Sequence, residues 1–231
     1  GMIFGRRRKM ENQGTMIQMS LWGSILSLFC LSPVFIAGLV LTCIILYVIL
    51  RRKAGTVKVH TLVFSALFYY YLCIVFYNVV GIPSMRQLLA TASYGEPLFA
   101  PNLNLIPFVD GISMGYVLNV ICFMPLGFLG PLVSRTYDKA GKCFLLGSGI
   151  SLLIEISQMF TRYRATDIDD LTANVLGVLA GWLCMKLFMK SRRMRRLAGR
   201  EGMTGSGRSC GGEWYLPVIT AAIAFLVTFF S

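Results

Sequence analysis

Glu155 is the residue of this chain that most demands a chemical explanation. It stands in an apolar stretch, Gly141 to Thr161, with Gln158 one turn further on. Arg164, Asp167, Asp170 and Asn174 follow directly. Carboxyl groups in unlike surroundings can divide the roles of general acid and general base. Glu155 on an apolar helix and Asp167 or Asp170 beside Arg164 form such a set. The same three carboxylates are hard oxygen donors of the kind Mg²⁺ or Ca²⁺ takes, which leaves a divalent cation open. A binding site needs less. Arg164 can anchor an anion, and Asn104, Asn119, Gln158 and Asn174 supply hydrogen bonds. The only histidine is His60 and the seven cysteines are scattered without CxxC spacing, so zinc chemistry is excluded. No Ser, Cys or His has an identifiable base partner. The residues therefore leave catalysis open, and they imply neither a metal nor a cofactor.

Helical spacing gathers these groups. Asp167, Asp170, Asn174, Gly177 and Gly181 follow at +3, +4, +3 and +4, and so do Ser148, Ser151, Glu155, Gln158 and Arg162. Both series place their members on one helix face. Two consecutive helices thus present polar or small stripes of matching length. An ionisable group at membrane depth costs roughly 2.5–3.5 kcal/mol on insertion scales, so Glu155 is expected to face protein or a watery cavity.

The membrane itself is read from composition. Of 231 residues, 56% are hydrophobic and only 14% charged, against roughly 25% charged in soluble domains. The net charge of +12 sits in clusters that flank apolar runs: Arg6–Lys9, Arg51–Lys53 and Lys186–Arg200. That is the pattern of topogenic signals and lipid contacts rather than of nucleic-acid binding. Gly1 before Met2 reads as a cloning remnant.

The expected fold is all-α and polytopic, with about six transmembrane helices plus an N-terminal interfacial or re-entrant helix, each span crossing ~30 Å. The N-terminal region, 1–53, holds that helix (Thr15–Leu31), a break at Pro33 and the first span to Leu50. The core, 54–198, holds spans at Val57–Val80, Ser113–Val133 (with a kink expected near Pro125 and Pro131), Gly141–Thr161 and Asp167–Met189. A mixed loop covers Ile82 to Gly111. A Gly/Ser-rich linker at 199–213 precedes a last span, Trp214–Phe230, in the 214–231 segment. The basic loops fall on one side, which the positive-inside rule makes cytoplasmic. Asn104, Asn119, Glu155, Gln158, Arg164, Asp167, Asp170 and Asn174 then converge on an outward-facing polar pocket.

Plainer roles compete at several positions. Asp167 can be an N-cap and Asp170 a dipole-matched residue of the first turn. Gly177 and Gly181 read first as a packing motif. Asn119 can make an interhelical hydrogen bond, Ser148 and Ser151 helix contacts, and Tyr69–Tyr71 interface packing.

Four motifs resemble the VanZ family in order and spacing. They are N-L-I-P-F at Asn104–Phe108, N-V-I-C-F-M-P-L-G at Asn119–Gly127, E-I-S-Q at Glu155–Gln158 and R-A-T-D-I-D-D-L-T-A-N-V-L-G at Arg164–Gly177. The resemblance covers about 102–188, and the N-terminal apolar pair is similar to the extended Gram-positive-type members. It carries over Asn104, Phe108, Asn119, Phe123, Pro125, Gly127, Glu155, Gln158, Arg164, Asp167, Asp170, Asn174 and Gly177. It implies a multi-pass protein of the bacterial plasma membrane that gives resistance to teicoplanin and related lipoglycopeptides, and it assigns no reaction. Three functions stay open: a protein that binds a lipid-linked cell-wall precursor or a lipoglycopeptide among membrane lipids; an enzyme that modifies an envelope lipid or peptidoglycan precursor with Glu155 as acid or base; and a lipid transporter or scramblase. Nucleic acid is not an expected partner, and the sequence sets no oligomeric state.

Overall fold

The computed structural model describes residues 32–55, 57–99, 103–104, 106–108, 111–161, 166–200 and 213–231. The expected helix at Thr15–Leu31, Arg162, Arg164 and most of the Gly/Ser linker lie outside the described residues.

Helix α1 (Pro33–Ala54) starts on a proline, whose fixed φ suits the first helical position, and ends at Gly55 in the left-handed region. Helix α2 (Val59–Ile74) passes into a π-helical turn at Val75–Val79. The Tyr69 hydroxyl donates to the Phe35 carbonyl across these two helices at 3.1 Å. Helix α3 (Met85–Ser93) lies where the sequence suggested only loop. Its signal is the capping box of Ser84 and Gln87, which satisfies the first backbone donors of an otherwise weakly apolar segment. A two-residue strand β1 (Leu103–Asn104) follows.

Helix α4 (Met114–Val133) runs unbroken through Pro125 and Pro131. A proline leaves the carbonyl four residues earlier without its helical donor. For Pro131 that carbonyl belongs to Gly127, and the Cys143 thiol approaches it at 3.8 Å. Beside the gap left by Pro125, the Tyr71 hydroxyl donates to the Cys122 carbonyl at 2.7 Å. A 3₁₀ turn (Arg135–Asp138) leads to α5 (Ala140–Gln158), strand β2 (Thr166–Asp167) and α6 (Ile168–Phe188). The short α7 (Arg192–Leu197) and the apolar α8 (Tyr215–Phe230) complete the described elements.

Five of these helices are long and apolar enough to cross a membrane, and α8 is a shorter apolar sixth. The chain is therefore an all-α, multi-pass membrane protein, with one short strand pairing as the exception among the described residues. The core of the bundle is the α4–α6 pair. A Cβ at Gly127 would run into the Val178 carbonyl oxygen, one at Gly177 into that of Val120, and one at Gly181 into that of Met124. These glycines let two backbones touch, as small residues do in membrane helix pairs. Packing is their role here.

Charge separates the two ends of the bundle. Arg51–Lys53, Arg135, Lys139, Lys142 and Lys186–Arg200 lie at one end, and Asp167, Asp169 and Asp170 at the other. The basic end is stitched by Arg200, which forms an ion pair with Asp138 at 3.0 Å and donates to the Pro131 carbonyl at 2.6 Å. The Trp182 indole donates to the Asp138 carbonyl, and the Tyr137 hydroxyl to that of Trp214. Burial, and to a smaller extent the neighbouring Cys143 thiol, raises the Tyr137 phenol above its ordinary range, which keeps it a donor.

Candidate functional site

The polar residues assemble at the acidic end, and their frame is the pairing of β1 with β2. The two strands are parallel, with Leu103 opposite Thr166 and Asn104 opposite Asp167. Asn104 Nδ2 donates to Asp167 Oδ2 at 3.1 Å. The other Asp167 oxygen accepts from the Asp169 backbone N–H at 2.9 Å, so Asp167 caps α6. The capping reading thus holds, and the same carboxylate also latches the loop before α4.

Asp169 was not singled out by the sequence reading. Both of its oxygens accept from the Phe108 N–H, at 3.2 and 3.0 Å. Phe108 has φ of 56°, uncommon for a bulky residue, which turns its N–H toward this carboxylate. Its ring packs on Tyr116. A partner that is a backbone amide leaves no trace in side-chain patterns. The available signal was a third aspartate in the first turn of an anion-favouring helix start.

Asn119 reaches across from α4, and its Nδ2 donates to Asp170 Oδ1 at 2.7 Å. Deeper, Asn174 Nδ2 donates to Ser151 Oγ on α5 at 2.9 Å. Because α5 and α6 are antiparallel, Glu155 (one turn after Ser151) and Asp170 (one turn before Asn174) occupy the same level of the bundle. Glu155, Gln158 and Asn174 are each only 3% exposed, which places them inside protein rather than against lipid. Gln158 Oε1 and Asn174 Oδ1 have no hydrogen-bond partner among the described residues.

The structure therefore brings Asn104, Asn119, Glu155, Gln158, Asp167, Asp170 and Asn174 to one end, joined by three elements and a strand pair. Phe108 sits at the edge, 46% exposed. Arg164 lies outside the described residues. The expected geometry changes in one respect: Asp167 and Asp170 are engaged by neighbouring amides instead of lining open space. A cavity of about 500 Å³ lies past the end of α5, lined by Gln87, Thr91, Tyr94, Glu96, Phe160 and Thr161 among others, and none of the cluster residues lines it. Among the described residues, no three His, Cys, Asp or Glu side chains come together as a metal-holding group.

A family model described as VanZ/LLP1 matches residues 39–189, more than half of the chain. No curated protein and no solved structure matches the chain significantly.

Proposed function

The chain belongs to the VanZ/LLP1 family, and on that premise we propose that it protects a bacterial envelope by binding a lipid-linked cell-wall precursor or a lipoglycopeptide at its acidic end. One observation carries this reading. Gln158 and Asn174 are buried, and each holds an amide oxygen without a partner among the described residues. A buried polar atom left unsatisfied costs about 1–3 kcal/mol. Two of them beside a buried glutamate support a site that a polar head group completes. The positive-inside rule puts the basic end in the cytoplasm, so the acidic end faces the outside of the plasma membrane, where such ligands lie. The family resemblance supports resistance to teicoplanin as the outcome of that binding, in a Gram-positive setting.

The test is expression of the chain in a susceptible Gram-positive host. Gln158→Leu and Asn174→Leu return teicoplanin susceptibility to that of the empty host, at membrane levels equal to wild type. Glu155→Gln, which keeps size and hydrogen bonding, retains resistance. Full resistance in both leucine variants would sink the binding reading.

A second reading, an enzyme that modifies an envelope lipid or peptidoglycan precursor, is favoured by the shared level of Glu155 and Asp170. Two carboxylates so placed can act as acid and base. On that reading Glu155→Gln abolishes resistance while a labelled precursor still binds, and the envelope-lipid profile of the wild type differs from that of the variant.

A further inference from the structure

Helices α5 and α8 do not pack along their length: α8 is held by α1 and α2, and α5 by α6. The gap between them is a trough. Its basic-end half is a cavity of about 420 Å³ with Leu146, Ile150 and Ala221 as floor. A second cavity of about 280 Å³ continues it toward Pro83 and Phe160, and Leu153 lines both. Leu145, 61% exposed, and Val218, 40% exposed, form lips that open sideways to the surroundings of the bundle. In a membrane-spanning protein those surroundings are acyl chains.

The basic end of the trough differs from its shaft. Lys142 stands there in the first turn of α5. The starts of α5 and α8 lie at the same end, and among the described residues neither has a side-chain cap. The Lys142 N–H already donates to the Lys139 carbonyl and the Leu216 N–H to that of Glu213, so only the donors ahead of these remain for another acceptor. Lysine and two uncapped helix starts all favour an anion. Lys139 and Arg135 add to the field; Glu213, just before α8, opposes it, and Asp138, just before α5, is paired with Arg200. A second copy of the chain in the same orientation would bring an identical basic cluster to this mouth, against like-charge repulsion. An apolar shaft with an anion-favouring end fits an anionic amphiphile.

We propose that the trough between α5 and α8 holds one acyl chain of an anionic phospholipid, with its phosphate at Lys142 and the two helix starts. This site is separate from the acidic-end cluster and lies at the opposite membrane face.

Gly149 supplies the test, because a Cβ there meets nothing within 4 Å. Gly149 lines the trough, so Gly149→Leu adds apolar bulk there from a Cβ that displaces no neighbour. The full chain is purified in detergent, incubated with an equal mixture of phosphatidylglycerol and phosphatidylethanolamine, and examined by native mass spectrometry. Wild type retains one phosphatidylglycerol per chain. Gly149→Leu, eluting as a single species like the wild type, retains it about tenfold more weakly, as expected when two or so methylenes leave the trough. Lys142→Gln keeps a lipid and loses the preference for phosphatidylglycerol. Equal retention in Gly149→Leu overturns the proposal, as does a wild-type chain that runs as a lipid-free dimer.

Discussion

Asn174 Nδ2 lies 2.9 Å from Ser151 Oγ, and this one hydrogen bond registers α6 against α5 at the level of the candidate site. Its two partners are not equivalent. Ser151→Ala leaves both polar atoms of the Asn174 amide unsatisfied in a buried seam. Asn174→Ala removes an amide whose oxygen already has no partner among the described residues, and the Ser151 hydroxyl can turn to a carbonyl of its own helix. Interhelical hydrogen bonds in membranes average about 0.6 kcal/mol and reach about 1.7. Ser151→Ala is expected near the upper figure and Asn174→Ala near the lower. Thermal unfolding of the two variants in one detergent checks the order.

Gly181 and Gly149 predict opposite outcomes for the same chemical change. Gly181→Ala drives a methyl into the Met124 backbone, which cannot yield unless α4 and α6 separate. The expected loss is about 2 kcal/mol or more, in the range of overpacked cores. At Gly149 the methyl meets open space, and Gly149→Ala gains about 0.5–1 kcal/mol from helix propensity. Melting temperatures measured side by side decide it. Two similar shifts would remove the distinction between packing glycines and a trough glycine.

Arg200 joins Asp138 to the end of α4 through both of its terminal nitrogens. The pair is only partly buried, so its worth is discounted toward that of a surface bridge, roughly 1 kcal/mol. Arg200→Lys should recover little of the loss in Arg200→Ala, since a single ammonium cannot match the fork that spans a carboxylate and a carbonyl. Denaturation at low and high salt tests both the size and the partial screening.

What was legible in the sequence follows from what periodicity encodes. The spans at Pro33, Ser113, Gly141 and Asp167 came within a few residues of the helices found, because each is a long apolar run, and all but the Gly141 span have a proline or a capping residue at the start. The stripes containing Gly177 and Asn174 identified the packed faces. Helix α3 was missed because two turns of weakly apolar residues have no such period, and only its capping box marks it. Loop-to-helix contacts were also hidden. Asn104 and Asp167 lie far apart in sequence, and their strands are too short to show alternation. Arg200 read as linker because neighbouring glycines dominate the composition there. The trough is the absence of packing between two helices, which no single-segment pattern records.

Asp169 is the third carboxylate of the acidic end, and its role can be separated from those of its neighbours. It holds the Phe108 N–H, which is solvent-near, and so ties down the segment between β1 and α4 without supporting the buried core. Asp169→Ala should therefore speed hydrogen exchange across 103–108 several-fold while lowering global stability by no more than about 1 kcal/mol. Asp170→Ala should act differently, because it removes the acceptor of Asn119 between two membrane helices. Asp170→Asn retains an oxygen for that donor and loses only the charge-assisted part, about half of the bond. The expected order of destabilisation is Asp170→Ala, then Asp170→Asn, with Asp169→Ala last and confined to the loop. Exchange measured by mass spectrometry on all three variants reads the order and the location together, and a loop-wide effect from Asp170→Asn alone would assign the latch to the wrong aspartate.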